Sequence, residues 1–213
     1  MLFYEAILIT TLALMAWFTF KGREPFPLFL PFMVMVVVVE IWLADWYYTK
    51  YGNLYPIINP YAKVCLYYYL FVFYQYFKNR PWSGWLRFGI LGFVIITLIW
   101  NFGFHDHSKI DYLSYNVGFL ILFPLMFRYL YEVIYLRPFY NVFHDPYLYF
   151  IFGLLLFYTS SFPILGFINI LITDNTQYHV YSELLNIGNI FLSLAYLGSA
   201  LCSRPRTRST RLS

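Results

Sequence analysis

The run MVMVVVVEIWLADW, from Met33 to Trp46, sets Glu40 behind four consecutive valines in a stretch that is otherwise largely hydrocarbon. A lone charge at the centre of a bilayer costs about 3 kcal/mol or more, so an acid in such a run needs a partner. Lys63 is the candidate base, because it falls in the next apolar run at a comparable depth. The expected arrangement is an ion pair between the two. Other polar side chains recur at helical spacing. Tyr67 lies four residues after Lys63, Thr97 and Asn101 are four apart, and Asn186, Asn189, Ser193 and Tyr196 recur at intervals of three and four. Each set therefore falls on one helical face. Because polar groups avoid lipid, the sequence predicts that Glu40, Lys63, Tyr67, Asn101, Asn186 and Asn189 line a polar, aromatic-rich ligand pocket in the outer half of a helical bundle. Ordinary interhelical contacts by the same residue types, worth about 0.6 kcal/mol each, are the competing account.

Other residues that can do chemistry carry less. Arg128 and Glu132 are four apart in the less favourable Arg-before-Glu order, and Arg128 can instead extend to the inner interface. His105, Asp106 and His107, with Asp111 nearby and His179 in a later loop, are ligand types that suit a divalent ion. Their spacing matches no metal motif, so we assign no metal. The chain has no G-x-S-x-G, H-E-x-x-H, P-loop or dinucleotide fingerprint. NRPWSG, from Asn79 to Gly84, lacks the histidine that lipid-phosphatase chemistry needs beside Ser-Gly, and the last apolar run has no lysine to hold a retinal. We therefore assign no catalytic residue and no cofactor, and do not expect an enzyme.

The elements that must position these residues follow from composition. Of 213 residues, 61% are hydrophobic, 25% aromatic and only 11% charged, with a mean hydropathy of +0.61, whereas a soluble domain carries about a quarter charged residues. A helix needs roughly 20 apolar residues to cross the hydrocarbon. Segments near 2–20, 26–45, 57–77, 85–103, 113–136, 147–171 and 182–202 qualify. They are too long and continuous for barrel strands of about ten residues. The expected fold is all-α: a polytopic membrane bundle of about seven transmembrane helices over residues 1–203, with a basic tail at 204–213.

Orientation follows from the basic residues. With the N-terminus outside and the C-terminus cytoplasmic, the inner connections hold Lys21, Arg23, Lys78, Arg80, Arg87, Arg137, Arg204, Arg206, Arg208 and Arg211, and the outer loops only Lys50 and Lys109. That is the positive-inside pattern. Basic residues set between apolar runs form no face for nucleic acid. The first run lacks a preceding basic region and a cleavage site, which marks it as a retained span. Asp145 and Pro146 read as N-cap and first residue of a helix. Pro31, Pro124 and Pro163 predict kinks. Cys65 and Cys202, toward opposite ends of the bundle, are expected to be free thiols.

HDPYLYFIFGLLLFYTSSFPILGFINIL (His144 to Leu171) and IGNIFLSLAYLGSALCSR (Ile187 to Arg204) share an Asp-Pro, aromatic, Gly, Tyr pattern and a last span closing on a basic tail. In these features the chain resembles uncharacterised multi-spanning membrane proteins of Bacteroidota. The resemblance implies a bacterial inner-membrane protein with a gene near sensor kinases, and supplies no catalytic residues. The functional expectation is a sensory or receptor-like seven-helix module, embedded in the lipid bilayer and coupled to a membrane or signalling partner. A small-molecule or ion transporter (or a subunit of one) and a structural or assembly partner are the alternatives.

Overall fold

The computed structural model describes residues 2–104, 109, 111–136, 142–171 and 175–202, with side chains at all of these except 2–3 and 162–184. His105, Asp106, His107, Arg137 and the basic tail lie outside the described residues, and Pro163 and His179 are described only as helical backbone. Among the described residues there are seven helices and no strand: α1 (Leu2–Phe20), α2 (Phe29–Tyr51), α3 (Tyr55–Phe77), α4 (Ser83–Gly103), α5 (Tyr112–Tyr135), α6 (Pro146–Leu171) and α7 (Asn175–Leu201). Three of them, α2, α4 and α5, are long and apolar enough to cross a membrane, the mark of a membrane protein.

Local chemistry sets the helix ends. Asp145 Oδ1 accepts the Tyr147 N–H at 2.9 Å ahead of Pro146, the first residue of α6, as the sequence predicts. Asp111 caps α5 by accepting the Ser114 N–H at 3.2 Å. Helix α2 runs past the expected end at residue 45 because Asp45, Thr49 and Lys50 continue the helix to Gly52. There, a left-handed φ of 68° lets the Gly52 N–H return to the Tyr48 carbonyl at 2.8 Å. Pro31 produces no break. It is the third residue of α2, where the amide has no partner within the helix to lose. Pro124 lies well inside α5, as expected.

Helix α2 is not uniform. Phe29–Val37 and Ala44–Tyr51 are α-helical, whereas Val38–Leu43 is a π turn, closed by the Ala44 N–H on the Val39 carbonyl. Glu40 sits inside that turn. Such turns are rare and concentrate at functional positions.

Helices α6 and α7 form the most extensive packed pair, α1 lies on α7 and α2, and α5 lies between α6 and α3. Helix α3 is central, with buried residues distributed around its circumference, including Cys65, Leu66, Tyr68, Tyr69, Leu70 and Phe73. Aromatic rings from four helices fill the middle. Phe32 stacks on Tyr68 with centroids 4.0 Å apart, and Tyr69 and Tyr196 each meet Phe150. Helix α4 rests mainly on α3 and turns Trp85, Phe88, Ile96 and Phe102 outward. Apolar rings on an outer surface suit contact with lipid rather than water.

Candidate functional site

Six helices line a partly open cavity of about 230 Å³. Tyr4 of α1, Tyr61 of α3 and Tyr115 of α5 lie in the first two turns of their helices and line it at one end of the bundle. The rest of the wall comprises Glu40 of α2, Cys65 and Tyr69 of α3, Phe157 and Tyr158 of α6, and Asn189, Ser193 and Tyr196 of α7. The polar neighbours of the Glu40 carboxylate are the hydroxyls of Tyr61 and Tyr4. Tyr69 and Tyr196 join their hydroxyls at 2.6 Å, tying α3 to α7. The Ser193 hydroxyl donates to the Asn189 carbonyl of its own helix at 2.8 Å. Among the described lining residues there is one carboxylate and no Lys, Arg or His.

The expected ion pair between Glu40 and Lys63 does not form. The Lys63 ammonium pairs with Asp111 Oδ2 at 2.6 Å and donates to Asn101 Oδ1 at 2.5 Å, and the pair is buried. The reason is angular. Tyr61, Cys65 and Tyr69 recur every four residues and face the cavity, and Lys63, two residues from Tyr61, projects about 200° away from it. Their places along the two apolar runs match, but direction around the helix separates them.

The face of α3 opposite the cavity carries a second polar ladder at the same spacing: Asn59, Lys63 and Tyr67. Asn59 Nδ2 donates to the Lys109 carbonyl at 2.7 Å, and Asn59 Oδ1 accepts the Asp111 N–H at 3.0 Å. The Thr97 hydroxyl donates back to the Phe93 carbonyl, so at 2.6 Å Tyr67 is the donor to Thr97. The Ser114 hydroxyl donates to Asp111 Oδ2 at 2.7 Å. The ladder fixes the connection before α5 onto α3 and holds α4 in place. Its groups are matched to one another, which is what a structural network requires.

The six expected site residues therefore divide. Glu40 and Asn189 line the cavity. Lys63, Tyr67 and Asn101 belong to the ladder behind α3. Asn186 is exposed and lies off the lining stripe of Leu185, Asn189, Leu192, Ser193 and Tyr196, about 100° round the helix from Leu185. Sequence reasoning missed Tyr4, Tyr61 and Tyr115, although the spacing of Tyr61, Cys65 and Tyr69 was available as a signal. It also missed Asp111 as the partner of Lys63, for which the N-cap position just ahead of an apolar run was the clue.

At the opposite end of the bundle, the fully buried Glu132 meets Arg80 Nη2 at 2.5 Å and Arg128 Nε at 3.4 Å. The second of these is the expected pair within α5, and Arg80 joins it from the connection between α3 and α4.

Asp111 gives a pH signature. Burial pushes its carboxyl up, but hydrogen bonds from Lys63 and Ser114, with the charge of Lys63, outweigh that and hold it below the ordinary carboxylate value. A depressed folded-state value stabilises the protein above the unfolded-chain value of about 4, and this stabilisation is lost as pH falls through the folded value. Thermal unfolding in detergent should show stability falling on acidification below about pH 4, with a smaller acid loss in Asp111→Asn. An equal loss in that variant would refute the assignment.

Compared with known protein families, curated proteins and solved structures, the chain matches none.

Proposed function

We propose that the chain is a multi-pass protein of the bacterial inner membrane. In this reading, seven spans cross the bilayer with the N-terminus outside and the C-terminus cytoplasmic, and the protein works as a sensory or receptor-like module. The observation that carries the reading is the cavity beside Glu40, walled by six helices and set where α1, α3 and α5 begin. That is the outer end if the basic residues mark the inside. A small or lipophilic ligand enters there and passes its state to a membrane or signalling partner. A ligand shifts an equilibrium only when it favours one of two arrangements. The π turn around Glu40 and the proline in α5 are where the backbone departs from a regular ladder and where two arrangements can differ.

Cavity filling tests this. Ala62 lines the cavity, and Ala62→Trp places an indole in it. Organic extracts of the purified wild type, analysed by mass spectrometry, should contain a small molecule that extracts of Ala62→Trp lack, whereas identical extracts would overturn the reading. Uptake into proteoliposomes that is lost in Glu40→Gln would instead establish the same cavity as a transport site. A fluorescent protein fused after the tail should light up in the cytoplasm, and a dark fusion with exported activity would reverse the orientation.

A further inference from the structure

We infer that the cavity beside Glu40 takes a small organic ammonium ion, its nitrogen against the carboxylate and its apolar body among the tyrosine rings. This rests on the ligand-binding reading above and names the chemical class of the ligand.

Charge is the first argument. The lining described holds a carboxylate and no basic residue. Lys63, the nearest base in the sequence reading, is committed to Asp111 on the far face of α3. Residues 162–184, whose side chains are not described, contain no Lys or Arg and a single histidine, His179, in their sequence. A largely apolar surrounding favours the neutral form of an acid, and a bound cation restores the charged form by supplying the compensating charge. Two tyrosine hydroxyls beside Glu40 orient its oxygens and leave acceptor capacity for an N–H donor.

The wall supplies the second. Six tyrosines and Phe157 line the space, and ring faces attract an ammonium group most strongly where water is excluded. An anion finds no cationic side chain among the described lining residues. A hard divalent ion such as Ca²⁺ or Mg²⁺ requires six or more oxygen ligands, which a single carboxylate among phenols does not provide, and among the described residues no three His, Cys, Asp or Glu side chains come together for a softer one.

Size completes the description. A cavity of about 150 Å³ binds benzene, so 230 Å³ accommodates about nine non-hydrogen atoms on the same scale. An arylalkylamine or a branched alkylamine fits, and a phospholipid does not. The π turn serves this site directly, because it widens the backbone at the residue that carries the charge.

The test uses 2-phenylethylammonium and its neutral analogue 2-phenylethanol at neutral pH, with the full chain in nanodiscs and calorimetric readout. Wild type should bind the ammonium about 30-fold more tightly than the alcohol, and Glu40→Gln should bring the two within about threefold. Wild type that binds both without preference keeps the cavity as a binding site and overturns the ammonium assignment. Binding of neither probe also overturns it, and the extraction experiment then decides separately whether the cavity holds any ligand. Because the comparison in wild type needs no substitution, a Glu40→Gln protein that fails to fold leaves the assignment open to refutation.

Discussion

Replacing Lys63 with Met should lower the stability of the folded protein by about 3–5 kcal/mol, the cost of removing one partner from a buried ion pair. The Asp111 carboxylate would remain at 1% exposure with the Ser114 hydroxyl and amide as its remaining described donors. Asn101 Oδ1 would lose its short contact with the ammonium. Asp111→Asn should be costly for the converse reason, since it leaves an ammonium against two amide oxygens. The double variant, Lys63→Met with Asp111→Asn, should recover part of the loss, because no charge is stranded and Asn still caps α5. Unfolding of the detergent-solubilised protein, by heat or by SDS titration, measures all three. A loss below about 1 kcal/mol in Lys63→Met would mean that water reaches the pair, as at an exposed salt bridge.

The second large effect is expected at Gly153, where α6 and α7 approach closely. A Cβ built on Gly153 would overlap the Cβ of Ala195 and meet the backbone of Leu192 and Phe191 at 3.5 Å. None of these atoms lies at the end of a flexible side chain, so the helices themselves must separate. Gly153→Ala should cost about 1–3 kcal/mol, and Gly153→Leu more. Gly153→Ala combined with Ala195→Gly exchanges the methyl groups across the interface and should restore most of the stability. If the cavity binds a ligand as proposed, the same substitutions should weaken that binding, because Phe157 and Tyr158 on one helix, and Leu192 and Tyr196 on the other, belong to the cavity wall. Full stability in Gly153→Ala would show that the pair does not pack this closely. The glycines of α7 serve the same interface: a Cβ on Gly188 would meet Ser160, and one on Gly198 would meet Tyr149. Gly198 and Ser199 thus face α6 within the chain, with the Ser199 hydroxyl on the Pro146 carbonyl at 2.9 Å.

The helices were legible because apolar runs of about twenty residues are a coarse signal. Boundaries shifted where polar residues continue a helix, as Asp45 to Lys50 do in α2 and as Asn175 onward does in α7. Direction around each helix was much harder to read. Glu40 and Lys63 fall at comparable places in their apolar runs, and nothing in either run says that Glu40 of α2 faces the cavity whereas Lys63 of α3 faces α4 and the start of α5. The two ladders of α3, Asn59–Lys63–Tyr67 and Tyr61–Cys65–Tyr69, are offset by only two residues, and a single polar stripe was inferred where there are two. The π turn has no signature in a valine-rich run, which suits either helical winding. Arg80 was missed as a partner of Glu132 because a connection residue reaches across to a neighbouring helix, a contact that periodicity within one helix cannot reveal.

The pairing of Lys63 with Asp111 also bears on how the protein is made. The base emerges first, and its acid follows roughly fifty residues later, after all of α4. At about 5–20 residues per second, translation leaves the ammonium without its counterion for several seconds. If α3 crosses the bilayer as proposed, it is therefore ill suited to partition into lipid by itself as soon as it is synthesised. On that proposed topology it waits beside the insertion machinery with α4 until the start of α5 arrives, so that the three segments enter the bilayer as one neutralised unit.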